Sequence, residues 1–394
     1  MARDIQRCPS CGAVVPLSGT REEDTDIQCP ECGAWYATRS FDGADASSTQ
    51  SRTGLWIALS LGGAFLVLLL VCGGIGAVVM MVGKQRAQMQ QAFMQSQIAF
   101  QAQAAIFVPP TEFPPQTEDY AEARKHFKTK LLEEGPSPQA WLQNQMVVPA
   151  DVTEMEYKSG KLQLSAWVSR DPGDGQKKPA VLYLHNGFAF GLDDWQQAQP
   201  FRDAGYVVMT PMRRGENGLD GSYSMFYDEV DDVLAAADAL AKLPYVDGKR
   251  LYLAGHSTGA TLTQLTAMTS SRFRAAGSFS GSPDQVNWMV VVGNLGGFRG
   301  NQGDLIPFDA ENQKEFHMRS PLAFPESFKC PIRLYFGNEE TYFKATNEKL
   351  AESAKKKKLD VEAVEVPGNH MTAVPQAMQK CIEFFAKNGG AKEP

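Results

Sequence analysis

Positive charge is scarce in this chain of 394 residues: 38 Lys and Arg stand against 45 Asp and Glu, for a formal net charge of −7. Such a balance keeps a protein soluble but supplies no pull toward phosphate backbones or anionic lipid surfaces, so nucleic acid is excluded as a first reading. Cysteine is scarce as well. Seven are present, and they lie as two close pairs before residue 40, one in an apolar run and two far downstream, unlike a secreted disulfide scaffold. No stretch repeats at a fixed period, which excludes a propeller or a solenoid. What the chain does have is 43% hydrophobic and 21% charged residues, enough to bury a large core in at least one full-sized domain.

Composition divides the chain into a cysteine-bearing module (1–40), a linker (41–54), an apolar run (55–82) and a Gln-, Met- and Ala-rich stalk leading into a proline-rich linker (83–119). A lead-in helix (120–149) and the main domain (150–390) follow. Leu55 to Val82 carries no charge. About 28 residues at 1.5 Å each make a helix of roughly 42 Å, more than the roughly 30 Å of a bilayer core. The run starts too late and is too long for a cleaved signal peptide, so it predicts a single-pass membrane span. Its flanks do not orient it, because Arg39 and Arg52 on one side balance Lys84 and Arg86 on the other. In the proline-rich linker, Val108-Pro109-Pro110 through Pro114-Pro115 cannot continue a helix and reads as an extended, stiff spacer.

The cysteine pairs do orient the chain. Cys8-Pro-Ser-Cys11-Gly and Cys29-Pro-Glu-Cys32-Gly are two tight turns, each aiming two thiolates at one point. Tetrahedral zinc wants that ligand set, and Cys8, Cys11, Cys29 and Cys32 are the expected structural Zn2+ ligands. Thiols kept for zinc are safest in a reducing compartment, which puts the N-terminus in the cytoplasm and the large domain beyond the membrane. The segment resembles the short zinc-ribbon modules at the N-termini of many bacterial membrane-anchored proteins. Arg3, Arg7, Arg21 and Arg39 are outweighed there by Asp4, Glu22, Glu23, Asp24, Asp26 and Glu31, the wrong balance for phosphate, so the expected role is structural or a protein contact.

Beyond residue 120 the pattern changes. Tyr120 to Glu134 reads as a helix ended by Gly135 and Pro136. Val152–Tyr157 and Leu162–Val168 flank Lys158-Ser159-Gly160 as a hairpin. The runs Ala180–Leu184, Tyr206–Thr210, Arg250–Ala254, Ala275–Ser280, Ile332–Phe336 and Val361–Val366 then alternate with helical stretches such as Asp194–Asp203 and Met225–Leu243. Such alternation predicts an α/β class: a mostly parallel sheet with helices on both faces.

Within it, Gly255-His256-Ser257-Thr258-Gly259 follows a strand and precedes the helical Ala260–Thr269. A strand-to-helix turn this tight strains the serine and needs residues without bulk two positions away on each side, which Gly255 and Gly259 supply. Ser257 is therefore the expected nucleophile, with the Thr258 amide at a helix N-terminus as one oxyanion donor. A serine needs a base to take its proton. Of five histidines, only His370 follows the last strand, on a Pro-Gly-Asn loop. The acid that orients it belongs on the loop after Ile332–Phe336, where Glu340 is the first choice, Glu339 the second, and Asp284 after the preceding strand the third. His185-Asn186-Gly187-Phe188 occupies the place of a second oxyanion loop, with Gly187 or Phe188 offering its amide.

These motifs, with Arg213-Arg214-Gly215-Glu216-Asn217-Gly218, Leu243-Pro244-Tyr245-Val246-Asp247, Arg319-Ser320-Pro321 and Cys330-Pro331, resemble the catalytic domain of the prolyl oligopeptidase family and its dienelactone-hydrolase-like relatives. The resemblance implies an α/β-hydrolase fold and a serine hydrolase acting through an acyl-enzyme on esters or amides, peptides included, with no catalytic cofactor. Two departures bear on peptidase activity: no propeller-like segment precedes the domain, and the expected acid is Glu where the family carries Asp. The segment Asp284 to Phe328, with Trp288, Met289 and Phe298, is expected either to cover the nucleophile or simply to pack. Cys330 and Cys381 are candidates for a disulfide. The competing reading is a catalytically inactive hydrolase fold serving as a docking protein, with the zinc ribbon as its interaction module.

Overall fold

The computed structural model describes residues 5–7, 14–16, 26–28, 35–37, 107–138, 147–293 and 305–389. They fall in two units, divided between Lys84 and Gln85. In the first, β1 (Ile5–Arg7) pairs antiparallel with β2 (Val14–Pro16), and β3 (Asp26–Gln28) with β4 (Trp35–Ala37). Each two-stranded pair brackets one cysteine pair in its connection. The cysteines themselves and the predicted span 55–82 lie outside the described residues. Among the described residues no helix is long and apolar enough to cross a membrane.

The second unit is built on eight strands: β5 (Val152–Ser159), β6 (Leu162–Ser169), β7 (Lys178–Leu184), β8 (Val207–Pro211), β9 (Val246–His256), β10 (Ala276–Phe279), β11 (Ile332–Gly337) and β12 (Val361–Val366). They lie in the order β12-β11-β10-β9-β7-β8-β6-β5. The pairs from β8 across to β12 are parallel, and only the β5–β6 hairpin and its junction with β8 are antiparallel. This is the predicted α/β-hydrolase architecture.

Strand periodicity decides which side chains form which core. In β7, Ala180, Leu182 and Leu184 enter one core while Val181 and Tyr183 enter the other. In β9, Leu251 and Leu253 go one way, Tyr252 and Ala254 the other. Successive side chains point to opposite faces, so a strand covered on both sides must read as a continuous apolar run. The first face is closed by α4 (Glu229–Ala241) and α5 (Thr258–Thr269), through Val230, Val233, Leu262 and Leu265. On the second, α3 (Gln199–Asp203) and α6 (Val374–Lys387) supply Phe201, Met378, Cys381 and Phe385. Each large apolar side chain buried this way contributes about 1.5–3 kcal/mol.

Several expected elements are shorter in the structure, for reasons of tertiary packing. The helix predicted from Tyr120 stops at His126 as α1 (Tyr120–His126). Beyond it the backbone extends because buried Glu315 accepts from Thr129 Oγ1 and the Lys130 amide, and Leu131 bridges to Phe308. The helix predicted from Met225 begins only at Glu229, since Met225 and Phe226 take left-handed φ values of 54° and 73°. The one predicted from Asp194 to Asp203 is two short helices, α2 (Leu192–Gln197) and α3, broken at Ala198 ahead of Pro200. Cys381 is a buried free thiol, so it is not disulfide-bonded to Cys330; its sulfur sits beneath Gly277, where an added Cβ would meet it at 2.3 Å.

The proline-rich segment is extended, as predicted, but it lies on the domain as a strap and does not stand off it. Thr111 bonds Asp284, Asn287 donates to the Pro109 carbonyl at 2.6 Å, and Phe113 meets the His317 ring edge-on at 5.1 Å. A cavity of about 340 Å3 lies behind this strap, between it and Leu322–Ser327 with Lys349 and Ser353. None of the candidate catalytic residues Ser257, His370 and Glu340 lines it.

Candidate active site

Parallel strands deliver their C-terminal ends to one edge of the sheet, and every candidate site residue follows such an end. β9 runs into Ser257, β7 into His185, β10 into Ser280, β11 into the loop bearing Glu340 and β12 into the loop bearing His370.

Ser257 sits between β9 and α5 with φ 55° and ψ −114°. A left-handed φ at a non-glycine residue costs about 1–3 kcal/mol and persists only when its surroundings enforce it. They do so here. A Cβ on Gly255 would lie 2.4 Å from the Gly259 carbonyl oxygen, and one on Gly259 would lie 2.2 Å from the Leu184 carbonyl oxygen. The Ser257 amide is held by the Phe279 carbonyl at 2.9 Å, and its own carbonyl accepts from Ala260 and Thr261 at 3.0 and 3.1 Å. The predicted elbow is thus a locked turn.

Of the three candidate acids, Glu340 is the one in contact with His370. His370 Nδ1 lies 2.7 Å from Glu340 Oε1, with both side chains buried. The other oxygen of Glu340 accepts from Ser280 Oγ at 2.6 Å and from the Gly337 amide at 2.6 Å. Glu339, one residue away, is exposed. Asp284 is fully buried but holds Thr111 through both its oxygens. The His370 ring is packed by Phe343, stacked at 5.2 Å and 28°, and by His256 at 4.8 Å and 38°.

Residues 185–188 lie beside the elbow. Thr258 Oγ1 donates to the Gly187 carbonyl at 2.7 Å, and Arg213 Nη2 reaches the same oxygen at 3.2 Å. Ser137 donates to the Phe188 carbonyl. His185 Nδ1 is 2.8 Å from the Asn186 carbonyl, and its Nε2 is 2.9 Å from Glu216. Carbonyl and N–H point opposite ways across a trans peptide, so fixing the Asn186 oxygen turns the Gly187 N–H away from His185. That N–H meets no acceptor among the described residues. Thr258, as the first residue of α5, likewise has an N–H without an intrahelical partner.

Electrostatics reinforces the frame under this loop. Burial by itself would raise the Glu216 carboxyl, but the Arg213 guanidinium and His185 hold it down to about 2. Glu216 therefore stays an anion bonded to Arg213 at 2.8 Å. His256 is pushed the other way: burial first, then the neighbouring His370, lowers it to about 3, so it remains neutral beside the site. Sequence reasoning missed Ser280, which holds the far oxygen of Glu340, and the load carried by Arg213 and Glu216. A polar Ser280-Gly281-Ser282 run closing a strand is the only sequence signal for the first.

Comparisons with known proteins bear on the fold and the family. Residues 192–387 match the model of the prolyl oligopeptidase family. Two curated Bacillus subtilis proteins are similar: the uncharacterized peptidase YuxL is 26% identical over 178 residues, which is 41% of this chain and 26% of that one. The uncharacterized peptidase YtmA is 27% identical over 99 residues, 25% of this chain and 38% of that one. The chain thus spans well under half the length of these relatives. Among solved structures, a puromycin-hydrolyzing peptidase of Mycobacterium tuberculosis superposes with a TM-score of 0.52 at 21% identity, over 61% of this chain and 39% of that one. An acylaminoacyl peptidase of Pyrococcus horikoshii gives 0.50 at 19%, over 61% and 42%. At these identities the structural likeness speaks for the fold.

Proposed function

We propose that this chain, a serine hydrolase of the α/β-hydrolase superfamily, is anchored in a membrane and cleaves ester or amide bonds, peptide bonds included, through Ser257, His370 and Glu340. The observation that carries the reading is the buried 2.7 Å contact between His370 Nδ1 and Glu340, at the same sheet edge as the strained serine. Glu340 fixes the imidazole so that Nε2 is left to take the Ser257 proton. Ser257 Oγ then attacks the carbonyl carbon. The developing oxyanion meets the amides of Thr258 and Gly187, the latter an N–H that meets no acceptor among the described residues. The proton on His370 passes to the departing alcohol or amine as the acyl-enzyme forms, and water returns the serine by the same steps in reverse. The purified chain is expected to turn over p-nitrophenyl esters or aminoacyl anilides, and the better of the two series identifies the leaving group. No turnover of either series would favour the docking-protein reading instead.

The anchor is Leu55–Val82, and the four cysteines before it hold one structural zinc in the cytoplasm, with the hydrolase beyond the membrane. Support comes from the uncharged run and the paired CPxCG turns in the sequence. Protease added to intact spheroplasts should digest the chain beyond Val108 and spare the N-terminal module, which should carry one zinc per chain by elemental analysis. A protected hydrolase domain would reverse the orientation; a metal-free module would remove the zinc.

A further inference from the structure

Asp284 is a fully buried carboxylate that shares its hydrogen bonds equally between nearby Asn287 and one distant segment. Its Oδ2 accepts from the Thr111 amide at 2.8 Å and from Asn287 Nδ2 at 3.1 Å. Its Oδ1 accepts from Thr111 Oγ1 at 3.0 Å and from the Asn287 amide at 3.2 Å. Asn287 Nδ2 also holds the Pro109 carbonyl at 2.6 Å. A buried carboxylate left with unmade bonds is costly, so the strap bearing Thr111 is part of the domain's structure.

The place where the strap is clamped gives it a consequence for the site. Val108 packs with Trp288 on the aromatic group of Phe336, Tyr342 and Phe343. Tyr342 is fixed in turn by donating to the Asp284 carbonyl at 2.8 Å. Phe343 is the ring stacked on His370. Glu340 grips the imidazole through Nδ1, and packing of Phe343 and His256 against the ring helps to hold its plane.

We propose that Asp284, by clamping Thr111 and with it Val108, is a positioning residue for the catalytic base: the strap is the outer wall behind Phe343 that sets the plane of His370. The proposal rests on the reading of His370 as the base. It assigns a role to the segment between the predicted membrane anchor and the hydrolase: that segment completes the active site.

The test uses the full chain with three substitutions. Asp284→Asn turns an amide NH2 toward Thr111 and Asn287 donors whichever way it lies, so it should release the strap. Thr111→Val removes one bond and leaves the Asn287 contacts intact, and so keeps the test available if Asp284→Asn fails to fold. Thr111→Ser retains both Thr111 bonds. Cleavage after Glu112 by a Glu-specific protease reports release; kcat, KM and the pH profile of kcat/KM for a small ester report positioning. Asp284→Asn should speed cleavage and lower kcat by about ten- to hundred-fold, as expected when a reacting group is misplaced by about an ångström. KM should change little, and the midpoint of the pH profile should move. Thr111→Val should show the same pattern in milder form, and Thr111→Ser should behave as the parent. Faster cleavage with kcat and pH profile unchanged overturns the proposal, and so does a fall in kcat with the strap still protected. A parent chain that neither turns over ester nor reacts at Ser257 sinks the hydrolase reading itself, an outcome distinct from either.

Discussion

Replacing Ser257 by alanine is expected to abolish ester turnover, and His370→Ala to do the same, while each variant keeps the fold of the parent. The expectation follows from how few groups do the chemistry. In the proposed mechanism Ser257 Oγ forms the acyl bond, and the neighbouring hydroxyl at the elbow, Thr258 Oγ1, is committed to the Gly187 carbonyl at 2.7 Å. In the same mechanism His370 is the proton acceptor; the nearest alternative, His256, is fully buried and donates its Nε2–H to the His370 carbonyl at 2.9 Å. In a well-built triad the loss of either residue costs about a million-fold in kcat, and removing both costs little more, because they act as one unit. Relief of the φ 55° conformation is not part of the effect, since alanine carries the same backbone restriction as serine. Steady-state kinetics on the purified variants, with melting temperature as a control for folding, check the expectation. A variant within tenfold of the parent contradicts the assignment.

Glu340→Gln is expected to lower kcat by about ten-thousand-fold at nearly constant melting temperature. The carboxylate acts on His370 by fixing its tautomer and stabilising the imidazolium that forms during attack; an amide of the same shape can present its NH2 to Nδ1 and lock the wrong tautomer. Here the substitution has a second consequence, because Glu340 Oε2 accepts from both Ser280 Oγ and the Gly337 amide. An amide whose oxygen stays with those two donors must turn its NH2 to the histidine. That arrangement preserves packing and inverts the catalytic hydrogen bond. Glu339→Gln, on an exposed side chain, should leave kcat near the parent value. If Glu339→Gln is the inactive variant and Glu340→Gln is not, the acid has been placed one residue too far along the loop.

The elbow was legible in the sequence because its causes are local. A strand, a turn and a helix within about fifteen residues leave a signature in spacing, and the glycine two positions on each side of Ser257 is a steric requirement that shows in the letters themselves. Chain order pointed to His370 and the distance from the glycine that ends β11 to Glu340, and the structure brings these two side chains within 2.7 Å. The sheet was legible because strands buried on both faces read as unbroken apolar runs. What the letters did not show depends on contacts between distant positions. Asp284 was a candidate acid by its place after β10, and its bonds to Thr111, 173 residues earlier, left no trace in the letters. Ser280 likewise acts 60 residues away on Glu340. The helix expected from Tyr120 to Glu134 failed at His126 for the same reason, since Glu315 draws the Thr129–Lys130 backbone out of helical geometry.

The central claim is that Ser257 is an activated nucleophile, and covalent labelling tests it more directly than turnover of any chosen substrate. A fluorophosphonate probe reacts with a serine whose proton is taken by a neighbouring base and whose attacking geometry is preformed, whatever the natural leaving group. Peptide mass mapping of the labelled chain should place one phosphonate on Ser257, with Ser257→Ala unlabelled and Glu340→Gln labelled much more slowly than the parent. A folded parent chain that takes no label, or takes it on a residue other than Ser257, contradicts the account.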